Sequence, residues 1–301
     1  MTVGDPETVR APHTRSGAAR FALWARRLGW RHAVMLVVVA FAIFPVMFVV
    51  SAALNPLGTL SSAQLWPTGA SLDNARDLFR NTPFTTWYAN SLFFAATNAA
   101  VTVLFSALAA YAFSRMRFRG RRVGLVGLLV IQMFPQFLAI VAIYLMFSTI
   151  GELYPAVGFD TRWGLLLVYL GGALSINTWL MKGFFDTVPK ELDESAQIDG
   201  ATHAQVFFRI MLPLVTPVLA IVALLVFVST INEFLMASVF LRDSDAKTLG
   251  LGLYQLVASQ RNANFGMFAV GALMLSLPTL IVFWFLQRYI SDGLTAGAVK
   301  G

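Results

Sequence analysis

The chain has 301 residues, of which 57% are hydrophobic and 12% charged, against about 25% charged in soluble domains. So little charge cannot cover the surface of a soluble globule, and so apolar a composition excludes intrinsic disorder. A net charge of +7, from 22 Lys+Arg and 15 Asp+Glu, points in such a chain to basic loops at one membrane face rather than to nucleic acid.

There are no cysteines, so disulfides and thiolate chemistry are excluded. The three histidines, His13, His32 and His203, are too scattered to suggest a zinc site.

Six segments free of Asp, Glu, Lys and Arg stand out: residues 33–54, 87–114, 123–151, 163–181, 210–232 and 262–287. Each is long enough to cross a hydrocarbon core as a helix, which takes about 20 residues. The longer ones include interfacial turns or tilt. The first follows six arginines and ends near Ser51, Ala52 and Ala53, small residues that suit a signal-peptide cleavage site. Its 22 apolar residues exceed a signal h-region of about 7–15, which favours an uncleaved helix.

Alternating the six spans from an inside N-terminus places sixteen of the 22 basic residues inside. These include the run Arg115, Arg117, Arg119, Arg121 and Arg122. The bias predicts both termini in the cytoplasm. The same run reads alternatively as a patch for lipid headgroups or nucleic acid; a topology-setting loop is the simpler reading.

The loop at 55–86 holds Pro56, Gly58, Pro67, Gly69 and Pro83 and is turn-rich, with two helical turns expected from Ser71. The second span is dense in small residues: Ala95, Ala96, Ala99, Ala100, Ala107, Ala109 and Ala110. They suit close helix packing. Asn98, Gln132, Asn177, Asn232 and Glu233 are polar groups inside or beside spans, and each is a functional suspect. Glu233 falls near the outer interface, within reach of water.

Between the fourth and fifth spans, residues 182–209 hold five of the fifteen acids: Asp186, Glu191, Asp193, Glu194 and Asp199. Thr187 is placed to cap a helix with Pro189 in its first turn. Gly200 would end that helix, and Thr202 with Gln205 fits a capping box for a second one. Such short helices are marginal alone in water. Leu192, Ala196 and Ile198 offer apolar contact to a partner and the acids offer charge pairing. The same loop could instead rest on its own bundle with its acids solvated.

Here the residues resemble a family. Glu194, Ser195 and Ala196, then Asp199 and Gly200, nine residues, then Ile210, Leu212 and Pro213 match the EAA signature of ABC-importer permeases. Ser195 stands where that signature carries alanine, with the spacing intact. YAFSRMRF at 111–118, QMFP at 132–135, YLGG at 169–172, LRD at 241–243 and GLTAGAVKG at 293–301 are similar to the MalG-type permeases of maltose/maltodextrin importers. The likeness runs from about residue 44 to the C-terminus and leaves the Arg-rich start uncovered.

The resemblance implies an all-α integral membrane protein with six transmembrane helices and a type I ABC importer permease fold, both termini cytoplasmic, in the inner membrane of a bacterium. The chain then divides into a basic segment at 1–32, a permease domain at 33–290 with its coupling loop at 183–211, and a tail at 291–301.

Glu194, Ser195, Ala196, Asp199, Gly200, Ile210, Leu212 and Pro213 would contact a cytoplasmic ATPase. Gly293, Leu294, Thr295, Gly297, Lys300 and Gly301 would enter the interface of the ATPase dimer. The outer loop at 256–266, with Gln260, Arg261, Asn262 and Asn264, would reach an extracytoplasmic sugar-binding protein; a plain hairpin loop is the alternative.

The implied partners are a MalF-like second permease, a MalK-like ATPase homodimer, the binding protein and membrane lipid, with no nucleic acid. No cofactor or metal is expected in this chain, and ATP and Mg belong to the partner ATPase. None of the four lysines follows a glycine, so a Walker A loop is absent and no enzyme is expected here. Another sugar, such as trehalose or a glucoside, remains an alternative cargo. A secondary transporter is the more distant reading; it would need ion-coupling acids at mid-membrane and internal repeats.

Overall fold

The structure, a computed structural model, describes residues 28–59, 64–67, 69–134, 136–258 and 264–298. Among them it is helical with no strand. It comprises two units, Met1–Val49 and Val50–Gly301.

The described part of the first unit is most of helix α1 (Trp30–Leu54). Leu36, Val37 and Phe41 are among a run of large apolar side chains exposed along it. A helix apolar all round needs a lipid or protein neighbour.

In the second unit follow α2 (Asp73–Asn81), α3 (Phe84–Arg115), α4 (Arg121–Met133), α5 (Gln136–Leu153), α6 (Arg162–Thr187), α7 (Lys190–Ile198), α8 (His203–Leu214), α9 (Thr216–Ile231), α10 (Leu235–Phe240), α11 (Leu249–Ala258) and α12 (Phe265–Ala298). Helices α1, α3, α6 and most of α12 are long and apolar enough to cross a membrane, and two bent pairs bring the number of spans up to six.

The third expected span is not one helix. It divides into α4 and α5, which meet at 103°. The fifth is broken too: α8 and α9 meet at 77°. There, Leu212 N–H bonds the Phe207 carbonyl in a π-turn over Phe207–Met211, immediately before Pro213. Proline has no N–H to continue the α-helical ladder, so the backbone turns.

Helix α3 is the axis of the second unit and packs against α6 and α9. Of its nine alanines, Ala95, Ala99, Ala107 and Ala110 are buried, while Ala96 and Ala100 are exposed. The 3.6-residue period sorts them, and the small stripe lets the backbones approach closely. Polar groups in this seam satisfy one another. Asn98 donates to Thr230 at 2.8 Å and Ser106 to the Leu174 carbonyl at 3.4 Å. Water is absent from a hydrocarbon core, so these groups must pair internally.

One end of this unit is strapped across long sequence separations. Trp87 donates to the Ser244 carbonyl, and Asn90 to the carbonyls of Asp245 and Lys247. Ser91 accepts from Leu249 N. Asn74 of α2 donates to the carbonyls of Ala53 and Asn55. The helix expected from Ser71 is α2, whose Asp73 N–H bonds the Ser71 hydroxyl.

At the same end Asp160 sits at φ 59° and its carboxylate accepts from Arg242 N at 2.5 Å and Asp243 N at 2.8 Å. Arg242 in turn lies over the Tyr144 and Phe159 rings. Asp160→Ala is expected to destabilise by about 2 kcal/mol, because it orphans two N–H groups and puts a Cβ without a local acceptor in the left-handed region. Asp160→Asn keeps an acceptor and tolerates that backbone, so it should cost under about 1 kcal/mol. Thermal unfolding in detergent would rank the two; equal melting points would refute the clasp.

Candidate coupling site

Residues 182–209 fold as a helix, a glycine turn and a second helix. Pro189 occupies the N-cap of α7 at φ −55°, ψ 134°. Glu191 and Asp193 lie in its first turn, where negative charge suits the helix dipole. The expected cap by Thr187 is not made: α6 runs through that residue, whose hydroxyl donates to the Phe184 carbonyl at 2.8 Å.

The C-terminus of α7 closes in a Schellman motif. Ala201 N–H bonds the Ala196 carbonyl at 2.9 Å and Gly200 N–H bonds the Gln197 carbonyl at 3.0 Å. This needs Gly200 at φ +86°, a left-handed position that glycine fills without strain. Thr202 and Gln205 then form the expected capping box, at 2.8 and 3.3 Å, and start α8.

The two short helices are held from behind. Ala196 and Ala201, the pair that accompanies the Schellman turn, pack on a core of Tyr111, Met181, Phe185 and Phe207. The front is open. Glu194, Ser195, Asp199 and Gly200 are exposed, and the Ile198 side chain is 86% exposed at the tip. Ile198, flanked by polar groups and with Leu192 and Phe208 also exposed on the two helices, has the chemistry of a docking anchor. Ile210 and Leu212 are half-buried and Pro213 is exposed; they lie in the π-turn and bend behind the tip.

Not all the acids face outward. Asp193 is buried and forms an ion pair with Arg115 Nε, each side chain 7% exposed. Arg115, the last residue of α3, also donates to the Val188 carbonyl at 2.7 Å. Beside it Ser114 donates to Asp186 at 2.6 Å, and Lys182 lies 2.5 Å from the same carboxylate. Removing one member of a buried pair costs about 3–5 kcal/mol, because the other charge stays behind. Sequence reading missed Arg115, counting it only in the basic loop, and treated Asp193 as one outward acid among five. The available signal was the spacing Asp193, Ala196, which puts both on one helical face.

Of the outer-loop residues, Gln260, Arg261 and Asn262 lie outside the described residues, and Asn264 offers its carbonyl to Phe268 N at 3.0 Å at the start of α12. Backbone from Gly293, Leu294, Thr295 and Gly297 continues α12 to Ala298, so these residues extend a helix; Lys300 and Gly301 lie outside the described residues.

The polar suspects in the spans are all engaged. Asn98 is described above; Gln132 donates to the Gly172 carbonyl, Asn177 to Ala173 and Asn232 to Val228. Glu233 accepts from Tyr169 and from the N-terminus of α10.

Long apolar helices, internally satisfied polar seams and a helical loop with an exposed apolar tip fit a multi-span membrane permease. The chain belongs to the binding-protein-dependent transport system inner membrane component family, which it matches over residues 102–293.

It is 39% identical to the maltodextrin transport system permease protein MdxG of Bacillus subtilis, over 86% of this chain and 91% of that one. It is 39% identical to the maltose/maltodextrin permease protein MalG of Escherichia coli, over 91% and 96%. It is 36% identical to the galactooligosaccharide permease protein GanQ of Bacillus subtilis, over 91% and 96%. A chain of a bacterial ABC transporter involved in the import of alginate shares the fold, with TM-score 0.73 at 24% identity, covering 88% of this chain and 97% of that one.

Proposed function

We propose that the chain is one of two permease subunits of an ATP-driven bacterial importer for maltodextrin-type oligosaccharides. Its relatives named for maltose and maltodextrin support the cargo. The relative named for galactooligosaccharides supports a second reading, the same role with a galactooligosaccharide.

The observation that carries the role is the exposed tip of α7 and its Schellman turn. Glu194, Ser195, Ile198, Asp199 and Gly200 would seat in a cleft of a cytoplasmic ATPase subunit. Ile210, Leu212 and Pro213 would bend behind them as α7 moves. ATP and Mg are then handled by an ATPase dimer. Both termini lie in the cytoplasm, and the end of α12 with Lys300 and Gly301 reaches the same dimer. A second permease covers the exposed apolar faces of α4 and α5. The opposite end, with the loop through Gln260, Arg261, Asn262 and Asn264, meets an extracytoplasmic sugar-binding protein. Closure of the ATPase dimer would draw the two coupling helices together and open the pathway outward; hydrolysis would return it.

The test is co-purification. This chain, its partner permease and the ATPase are expressed together, with wild type compared to Glu194→Lys. Retained ATPase is expected to fall by about tenfold or more in the variant, since a reversed charge meets its former partner as a repulsion. An ATPase retained equally by both, or by neither, would refute the coupling reading.

A further inference from the structure

Helix α7 is joined to its neighbours by short connections. Pro189 starts it and the left-handed Gly200 ends it. Ala196 and Ala201 pack the helix on the core from behind, so a force applied at Ile198 loads that packing and any charge pair that ties α7 to the bundle. Of the acids on α7 and its caps, Glu191, Glu194 and Asp199 are exposed and only Asp193 is buried. Among the described residues, Arg115 is the only cation within ion-pair distance of it.

Arg115 stands at the meeting point of three helices. It ends α3, pairs with the first turn of α7 through Asp193, and holds the C-cap carbonyl of α6 at Val188. Its neighbour Ser114 adds a second tie to α6 through Asp186, itself gripped by Lys182. Helix α3 runs from there to the strapped end, where Trp87 and Asn90 hold the loop at 244–247.

We propose that Arg115 is a positioning residue, whose ion pair with Asp193 makes α7 and α3 move as one body so that displacement at the ATPase reaches the transport pathway. This rests on the coupling role assigned to α7 above. Without the pair, α7 still docks, and ATP is still hydrolysed, but the motion dissipates in the loop.

The test uses the complete importer in proteoliposomes with its binding protein and maltotriose as the probe. Arg115→Gln with Asp193→Asn removes both charges together, leaving no lone charge buried. Retained ATPase and hydrolysis should stay within about twofold of wild type. Maltotriose moved per ATP should fall by about tenfold. Arg115→Lys keeps the charge but not the second bond to Val188, and should fall in between.

Because this chain has no cysteine, Arg115→Cys with Asp193→Cys can be bridged by a short bifunctional thiol reagent, in an assembly whose other subunits carry no reactive thiol. Bridging should restore the ratio. An unchanged ratio in the double-neutral variant overturns the proposal. So does a loss of ATPase retention in step with transport, which would make the pair part of the docking surface alone. If the double-neutral variant fails to assemble, the double-cysteine variant is decisive, and a wild-type ratio there before bridging overturns it. Wild type that retains no ATPase overturns the coupling reading itself, and the strut with it.

Discussion

Replacing Glu233 by leucine is expected to destabilise the protein by about 3–5 kcal/mol, among the largest effects of any single side chain here. Its carboxylate accepts three bonds: from Met236 N at 2.7 Å, from Ala237 N at 3.1 Å and from the Tyr169 hydroxyl at 2.7 Å. Two of these donors are N–H groups at the start of α10, which no helical carbonyl can serve. The third belongs to a tyrosine only 8% exposed, set edge-on against Phe94.

Bonds to a charged group contribute about 1.5–3 kcal/mol each and share one acceptor, so they do not add fully. Glu233→Gln keeps one oxygen and should cost about 1–2 kcal/mol. Tyr169→Phe removes one donor, leaves the cap intact and should cost about 1 kcal/mol. Denaturant unfolding in detergent micelles would order them, with leucine last. A leucine variant as stable as wild type would mean that water, not the protein, satisfies this end. Its role as a cap also accounts for an acid beside a span without giving it cargo to bind.

What the sequence made legible was local. Length and the absence of charge located the spans, because the bilayer imposes both. The capping box at Thr202 and the turn at Gly200 were legible since each is written within a few residues. Breaks inside spans were not. A charge-free run reads the same straight or bent; Pro135 lies in the sequence between α4 and α5, but nothing there gave the 103° angle at which they meet. Pro213 was visible, but a proline alone does not say whether a helix kinks or ends.

Long-range pairing was hidden for a different reason. Arg115 sat in a basic run whose bland role, fixing topology, was sufficient to explain it, and its partner lies 78 positions away. The straps from Trp87, Asn90 and Ser91 to the loop at 244–249 cross more than 150 positions, and end on backbone carbonyls and N–H groups that every residue carries. The inward turn of Asp193, by contrast, follows from helical period once one face of α7 is known to be packed.

Gly164→Ala is expected to cost about 3 kcal/mol or to unwind the first turn of α6. A Cβ there would fall on the Gly158 carbonyl oxygen and lie 2.7 Å from the Val157 carbonyl oxygen. Both obstacles are backbone, so no rotamer change can make room. Gly158 cannot retreat, since it already lies against the Gly151 Cα, 3.0 Å from where its own Cβ would be. The same turn holds the Thr161 hydroxyl that accepts from Gly164 N at 3.0 Å, and Asp160 of the clasp to Arg242. Displacing it should therefore loosen α6 and the loop at 242–243 together.

Gly183→Ala is the control with the opposite sign. It lies in the same helix, exposed, with no atom within 4 Å of an added Cβ. Alanine there should be neutral or stabilise by up to about 1 kcal/mol through lower unfolded-state entropy and better helix propensity. Parallel unfolding of the two variants separates contact from propensity: if both move stability the same way, the close approach at Gly164 does not hold the end of α6, and the clasp at Asp160 must be positioned by Arg242 alone.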